Sequence, residues 1–163
     1  AAEMIKAGKD LAEIKQTILN ERENIDIYFT VNELTYLKKG GRIGKAKAFL
    51  GSVLNLNPIL ELSPSTGEIT PKDKVRGYKK TNKKMIDLAI KAVEDSKEVN
   101  FAYLYGRDNE NFEQFKSLFE AELESQTKFK YKIFANRIGA VLTSHTGPLV
   151  HGIVIYRGEL LRE

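Results

Sequence analysis

Two short segments hold the residues best suited to chemistry. In GGRIG, Gly40 and Gly41 end one predicted helix and a second begins within a few residues. Unpaired backbone N–H groups at a helix start favour an anion, and Arg42 beside them can form a bidentate pair with a carboxylate or phosphate. The same spacing also fits a plain helix–helix corner carrying a surface arginine. It is not a P-loop, because no GxxxxGK[ST] occurs. In SHTGP, His145 stands between hydroxyl residues and a Gly-Pro turn, behind the apolar run IGAVLT. A histidine at the tip of a buried segment can donate a hydrogen bond to an anion entering the core, and it can equally be a satisfied structural histidine. Ser144 and His145 are adjacent, so they cannot easily face each other as nucleophile and base. His151 lies six residues further on, a poor spacing for a metal pair.

The rest of the composition narrows the chemistry. There is no cysteine, which excludes a disulfide framework, a thiolate nucleophile and a sulfur-based zinc site. Two histidines and no HExxH-like spacing leave no metal centre to expect, and no cofactor is implied. No run approaches the ~18–20 apolar residues that a membrane helix needs, so no membrane insertion is expected. The opening, AAEMIKAGKDLAEIK, lacks the basic start and apolar core of a signal peptide and reads as the middle of a helix from something longer. A cytoplasmic protein fits these features best.

The elements that must position the two segments alternate along the chain. Asp10 can cap a helix over residues 11–23, with Leu11, Ile14, Ile18 and Leu19 on one face. Residues 25–31, β-branched and aromatic, read as a strand. Asn32 is placed to cap a short helix that stops at Gly40-Gly41. The next helix is expected over 44–54, with Ile43, Ala46, Leu50, Val53 and Leu54 on a buried face. Strands over 58–62 and 68–75 flank the turn SPSTG as a hairpin. A helix over 81–94, a strand over 100–105, a helix over 109–123 and a strand over 128–134 follow. Residues 138–143 fit helix or strand, and 152–156 form a last strand. Interleaved strands and helices without a repeat or linker predict one α/β (α+β) domain over 1–163, a mixed β-sheet packed with helices.

Charge is unevenly distributed. Seven basic residues against Asp73 lie between Lys72 and Lys84, whereas Glu110, Glu113, Glu120, Glu122 and Glu124 oppose only Lys116. These are either two solvated faces or a docking surface for an anion or a complementary protein.

Taken together, LTYLKKGGRIGKAKAFLG, then NPIL, KVRGYKK and IGAVLTSHTGP, in this order and spacing, resemble the C-terminal half of the DegV family across essentially all 163 residues. Two positions depart from the family pattern: Leu149, where another small residue usually follows HTGP, and Asn57, where lysine often precedes the proline. The resemblance implies a lipid-binding domain whose partner N-terminal domain is absent. It implies a long-chain fatty acid as ligand and no catalysis by the chain itself. The acyl carboxylate would be presented for phosphorylation to a separate ATP-dependent subunit of fatty acid kinase. By this resemblance His145 and Arg42 hold the carboxylate, and Arg76 of KVRGYKK, with Lys79 and Lys80, docks the kinase. Ile43, Ala46, Phe49, Leu50, Val53 and Leu54 are expected along the acyl channel, or else simply in the core. The surface facing the absent domain should remain apolar and invite self-association.

The alternative reading is nucleic-acid binding through the basic runs 38–47 and 72–84, with Tyr36 and Tyr78 available to stack on bases. No helix-turn-helix, RRM or KH signature supports it, and the acidic helix opposes it. A catalytic domain ranks last, for want of a paired nucleophile and base.

Overall fold

The computed structural model describes residues 1–50 and 56–160. A short helix α1 (Ala2–Lys6) leads into α2 (Leu11–Glu21), whose start is fixed by Asp10 accepting a hydrogen bond from the Glu13 N–H at 2.8 Å. One 3-10 turn (Arg22–Asn24) then delivers the chain to β1 (Ile25–Thr30). The apolar face expected on this helix is left largely uncovered: only Ile14 is buried, while Leu11 is 81% exposed and Ile18 and Leu19 are exposed. At the C-terminal end of the helix Tyr156 donates to Glu21 at 3.0 Å.

Six strands form one mixed sheet in the order β3-β2-β1-β6-β4-β5, with β2 (Leu56–Leu62), β3 (Ile69–Arg76), β4 (Glu98–Tyr105), β5 (Lys130–Arg137) and β6 (His151–Arg157). Only β4 and β5 run parallel, and that connection needs a crossover helix. The predicted hairpin is β2–β3, with a register shift at Ile59/Leu60. Its edge strand carries Pro71, where the missing N–H is harmless.

Helices α4 (Tyr78–Ala92) and α5 (Glu110–Glu124) cover one face. Asn109 caps α5, accepting from the N–H groups of Asn111 and Phe112. Alternate residues of the strands, Tyr28, Phe101, Tyr103, Ile153 and Ile155, meet Met85, Ile86 and Ala89 of α4 and Phe112, Phe115 and Phe119 of α5. Phe101 and Phe119 pack edge-to-face at 5.1 Å, and Tyr105 stacks on Phe112 at 4.3 Å.

A smaller cluster, with Phe29, Val31, Leu37, Ala46, Leu60 and Val150 at its centre, lies on the opposite face. It sits under α3 (Leu34–Lys39), a 3-10 segment (Gly44–Phe49) and α6 (Ala140–Thr146). Three expectations change here. Glu33, not Asn32, occupies the cap position of α3 and makes no side-chain cap bond. Asn32 instead accepts a hydrogen bond from the Tyr78 hydroxyl at 2.9 Å, which ties the entry of α3 to the start of α4. The α-helix expected from residue 44 is a 3-10 segment ending at Phe49, because Gly44 enters at φ +50° and Leu50 is already extended. Val53 and Leu54 fall outside the described residues. The ambiguous stretch 138–143 contributes Ile138, whose N–H donates to the Tyr105 carbonyl at 2.9 Å, and then turns into α6. That run is less buried than its composition predicts: Val141 is 75% and Leu142 53% exposed.

Candidate functional site

Arg42 owes its position to the way α3 stops. Gly41, at φ +67°, supplies the left-handed residue that lets the Gly41 N–H reach the Lys38 carbonyl and the Arg42 N–H reach that of Leu37. This is the Schellman pattern, and it satisfies the free carbonyls at the helix end. The Arg42 guanidinium donates to the Gly40 carbonyl at 3.2 Å and makes no ion pair among the described residues.

His145 sits in the last turn of α6, which packs against α3. Its ring lies so close to Gly40 that a β-carbon there would fall 2.1 Å from Nδ1. Nδ1 is buried and has no hydrogen-bond partner. The contact is matched two residues later. The Tyr36 ring of α3 lies over Gly147, where a β-carbon would fall 2.8 Å from the ring, and Gly147 itself holds φ +83°. Pro148 then rests on Gly106, whose carbonyl accepts from Arg137 Nε.

Arg42 and His145 line one cavity of about 540 Å³, together with Leu37, Glu68, Leu142 and Thr146. Glu68 is paired with Lys45 at 3.6 Å, which offsets the one carboxylate at this mouth. A second cavity of about 190 Å³ lies against the sheet, walled by Ile27, Phe29, Leu104 and Ile138. Leu62, Ile69, Leu142 and Thr146 line both, so the polar mouth and the apolar recess share a wall. This arrangement suits an amphiphile with an anionic head and an apolar tail. Among the described residues no group of three His, Asp or Glu side chains is placed to hold a metal ion.

The remaining residues singled out from the sequence lie elsewhere. Ala46 is fully buried, Ile43 and Phe49 pack against the same cluster as Phe29 and Ile69, and Leu50 is exposed; none of them lines either cavity. Arg76, Lys79 and Lys80 are exposed, at the end of β3 and the first turn of α4 on either side of Gly77. Their neighbours Lys72, Lys83 and Lys84 are engaged with Glu61, Asp87 and Asp73. Tyr36 was picked out from the sequence only as a residue that could stack on bases, and the recess residues Ile27, Phe29, Leu104 and Ile138 were not picked out. For Ile27 and Phe29 the signal was present in the period-two alternation of β1, which sends both to the face away from α4 and α5. His151 is a buried structural histidine on that other face. Its Nε2 lies 2.9 Å from Asn82 Oδ1, and burial pushes its pKa down to about 4, so the ring is neutral.

Known proteins resemble this chain in sequence and fold. A family model described as an uncharacterised protein of the DegV family matches residues 1–158. A DegV domain-containing protein of Clostridium perfringens is 32% identical over 160 residues, covering 96% of this chain and 53% of its own length. Among solved structures, a DegV family protein from Thermus thermophilus described for its fatty acid binding superposes with a TM-score of 0.82 at 30% identity, over 96% of this chain and 54% of that one. A stearic acid-binding protein from Eubacterium ventriosum gives a TM-score of 0.76 at 26% identity, over 95% and 52%. The chain thus spans about half the length of the relatives it matches. With a family model matched over nearly its whole length and the same mixed sheet in the solved relatives, this chain belongs to the DegV family.

Proposed function

We propose that this chain is a fatty-acid-binding module. The observation that carries the reading is the joined pair of cavities, a mouth holding Arg42 and His145 beside a recess walled by Ile27, Phe29, Leu104 and Ile138. A carboxylate at the mouth would take charge-assisted hydrogen bonds from Arg42 and His145, while the acyl chain lies against the sheet. Each buried CH2 contributes ~0.8 kcal/mol, so a long chain offers on the order of 10 kcal/mol before ordering costs. Ile43, Ala46 and Phe49 support the wall from behind, through the cluster they share with Phe29 and Ile69.

On this reading the module works with the half of the family's length that lies outside this chain, and the acyl carboxylate is presented in the cytoplasm to a separate ATP-dependent kinase. Arg76, Lys79 and Lys80 would dock that partner. Their placement supports this: the first turn of α4 holds no acidic residue, and lysines at the positive end of a helix dipole are locally unfavourable. Catalysis stays with the partner. The nucleic-acid reading is disfavoured by the ion pairs that engage Lys72, Lys83 and Lys84, and by acidic α5 packed beside α4.

Organic extraction of the purified protein followed by mass spectrometry is the test. Stoichiometric long-chain fatty acid is the expected result. Protein that emerges lipid-free and also fails to take up added fatty acid in calorimetric titration would sink the proposal.

A further inference from the structure

We infer that Tyr36 is a positioning residue for the head-group end of the site, holding His145 in a fixed orientation through a reciprocal ring-on-glycine interlock between α3 and α6. The inference rests on the fatty-acid reading for its consequence and on the interlock itself for its geometry.

Each of the two segments contributes one ring and one glycine. From LTYLKKGG, Tyr36 offers the ring and Gly40 the bare backbone; from SHTGP, His145 offers the ring and Gly147 the bare backbone. The two contacts are crossed, Tyr36 on Gly147 and His145 on Gly40, so neither helix can slide or turn without breaking both. A third contact, Pro148 on Gly106, pins the chain just beyond. Little else holds α6: Val141 and Leu142 line the open cavity and are exposed, and none of its side chains is buried. The Thr143, Ser144 and Thr146 hydroxyls all bond back to carbonyls within or beside their own helix rather than to the sheet.

The interlock also sets the chemistry of the imidazole. In a neutral imidazole one nitrogen donates and the other accepts. Nδ1 is pressed on Gly40 with no partner, and the Gly40 carbonyl already receives Arg42. A proton on Nδ1 would find no acceptor, so the neutral ring carries its proton on Nε2. That leaves Nε2–H as the donor a carboxylate in the cavity can reach. Tyr36 therefore governs which nitrogen the ligand meets, although its own hydroxyl makes no hydrogen bond to a described residue.

The two contacts can be perturbed separately. Tyr36→Ala removes the ring over Gly147, and Tyr36→Phe keeps it. Gly40→Ala is compatible with the backbone there, at φ −76° and ψ −3°, so its effect isolates the push on the His145 ring. Calorimetry with oleic acid and with methyl oleate separates head-group from chain binding, and long-range ¹H–¹⁵N spectra report the His145 tautomer without any ligand. In Tyr36→Ala and Gly40→Ala we expect oleic acid affinity to fall about tenfold or more, the size of one lost hydrogen bond to a charged group. Methyl oleate should bind as before, the single Nε2–H tautomer should give way to a mixture, and Tyr36→Phe should match the parent. A Tyr36→Ala protein with the parent's His145 spectrum, or with acid and ester weakened alike, overturns the inference. Should the parent bind neither lipid, the fatty-acid reading fails while the ring spectra still decide the interlock.

Discussion

His151 Nε2 and Asn82 Oδ1 meet at 2.9 Å beneath α4, in a fully buried position bounded by the rings of Phe112, Phe115 and Tyr78. Asn82 in turn donates to the Asn111 carbonyl at 3.0 Å, so one side-chain pair joins β6, α4 and α5.

Acid should therefore loosen this domain through a single histidine. The His151 pKa is lowered from 6.5 to about 4 because burial penalises the imidazolium. The unfolded chain accepts the proton more readily than the folded one. Stability is thus fully present above about pH 6.5 and falls as pH drops from there toward 4. The whole window corresponds to on the order of 3 kcal/mol, at ~1.4 kcal/mol for each unit of difference. Urea unfolding at pH 7.5 and pH 4.5 measures it. His151→Phe should be less stable at pH 7.5, by about 1–3 kcal/mol for the orphaned Asn82 oxygen, and should show a visibly flatter acid dependence. An unchanged acid slope would show that other groups dominate.

On the fatty-acid reading, filling the apolar recess should remove lipid uptake without unfolding the protein. Ile138 stands at the recess wall just after β5 and is only partly buried, so a larger ring has room to enter the empty volume. Ile138→Phe should leave thermal unfolding within a few degrees of the parent while weakening oleic acid in titration at least tenfold. Equal affinity would place the acyl chain somewhere other than this recess.

Gly152 is where the sheet tolerates least. Paired with Phe29 near the start of β6, it would bring a β-carbon to 2.1 Å from the Tyr28 carbonyl oxygen. Backbone cannot swing aside as a side-chain tip can. Gly152→Ala should cost about 3 kcal/mol, the upper end of ordinary overpacking. Chemical denaturation checks this, and a loss below about 1 kcal/mol would mean that β1 and β6 separate more easily than their register suggests.

Much of this architecture was legible because local and tertiary signals agree. The cap at Asp10, the Gly40-Gly41 stop, the helix expected over 109–123 and the strands expected over 25–31, 100–105 and 152–156 all survive into the fold. Where the sequence misled, long-range contacts had won. Asn32 has the right chemistry for a cap but is claimed by Tyr78, 46 residues away. The helical spacing after Gly44 suits an α-helix, yet its glycine backbone and the nearby Ile69 backbone impose a 3-10 path. Arg42 and His145 were legible as motifs, and both line one cavity. The recess was not, because its wall is assembled from β1, β2, β3 and β4 with Ile138 and α6, and no sequence window contains it. The crossed contacts of Tyr36 and His145 were equally hidden, since a glycine in a sequence does not say whose ring rests on it.

The uncovered apolar residues lead to a last prediction, about association. Leu11, Ile18 and Leu19 on α2 and Val141 and Leu142 on α6 are exposed, and Ile5 on α1 adds to them. Scattered apolar residues are ordinary on a surface, but in this helix only Ile14 of the apolar face is buried, and Leu11, Ile18 and Leu19 are left exposed among the described residues. Such a face lowers its free energy by meeting another one, so the 163-residue chain should self-associate as its concentration rises. The double substitution Leu11→Lys and Ile18→Lys removes apolar area and adds repulsion where two copies would meet. Neither side chain belongs to the core, so stability should change by no more than about 0.5 kcal/mol. Sedimentation velocity across a concentration series should show the parent shifting to larger species and the double variant remaining monomeric. A parent that stays monomeric at the highest concentrations would mean that α2 is held off by the charges around it, Lys15, Glu21 and Glu23 among them, and that the apolar face has too little area to drive assembly.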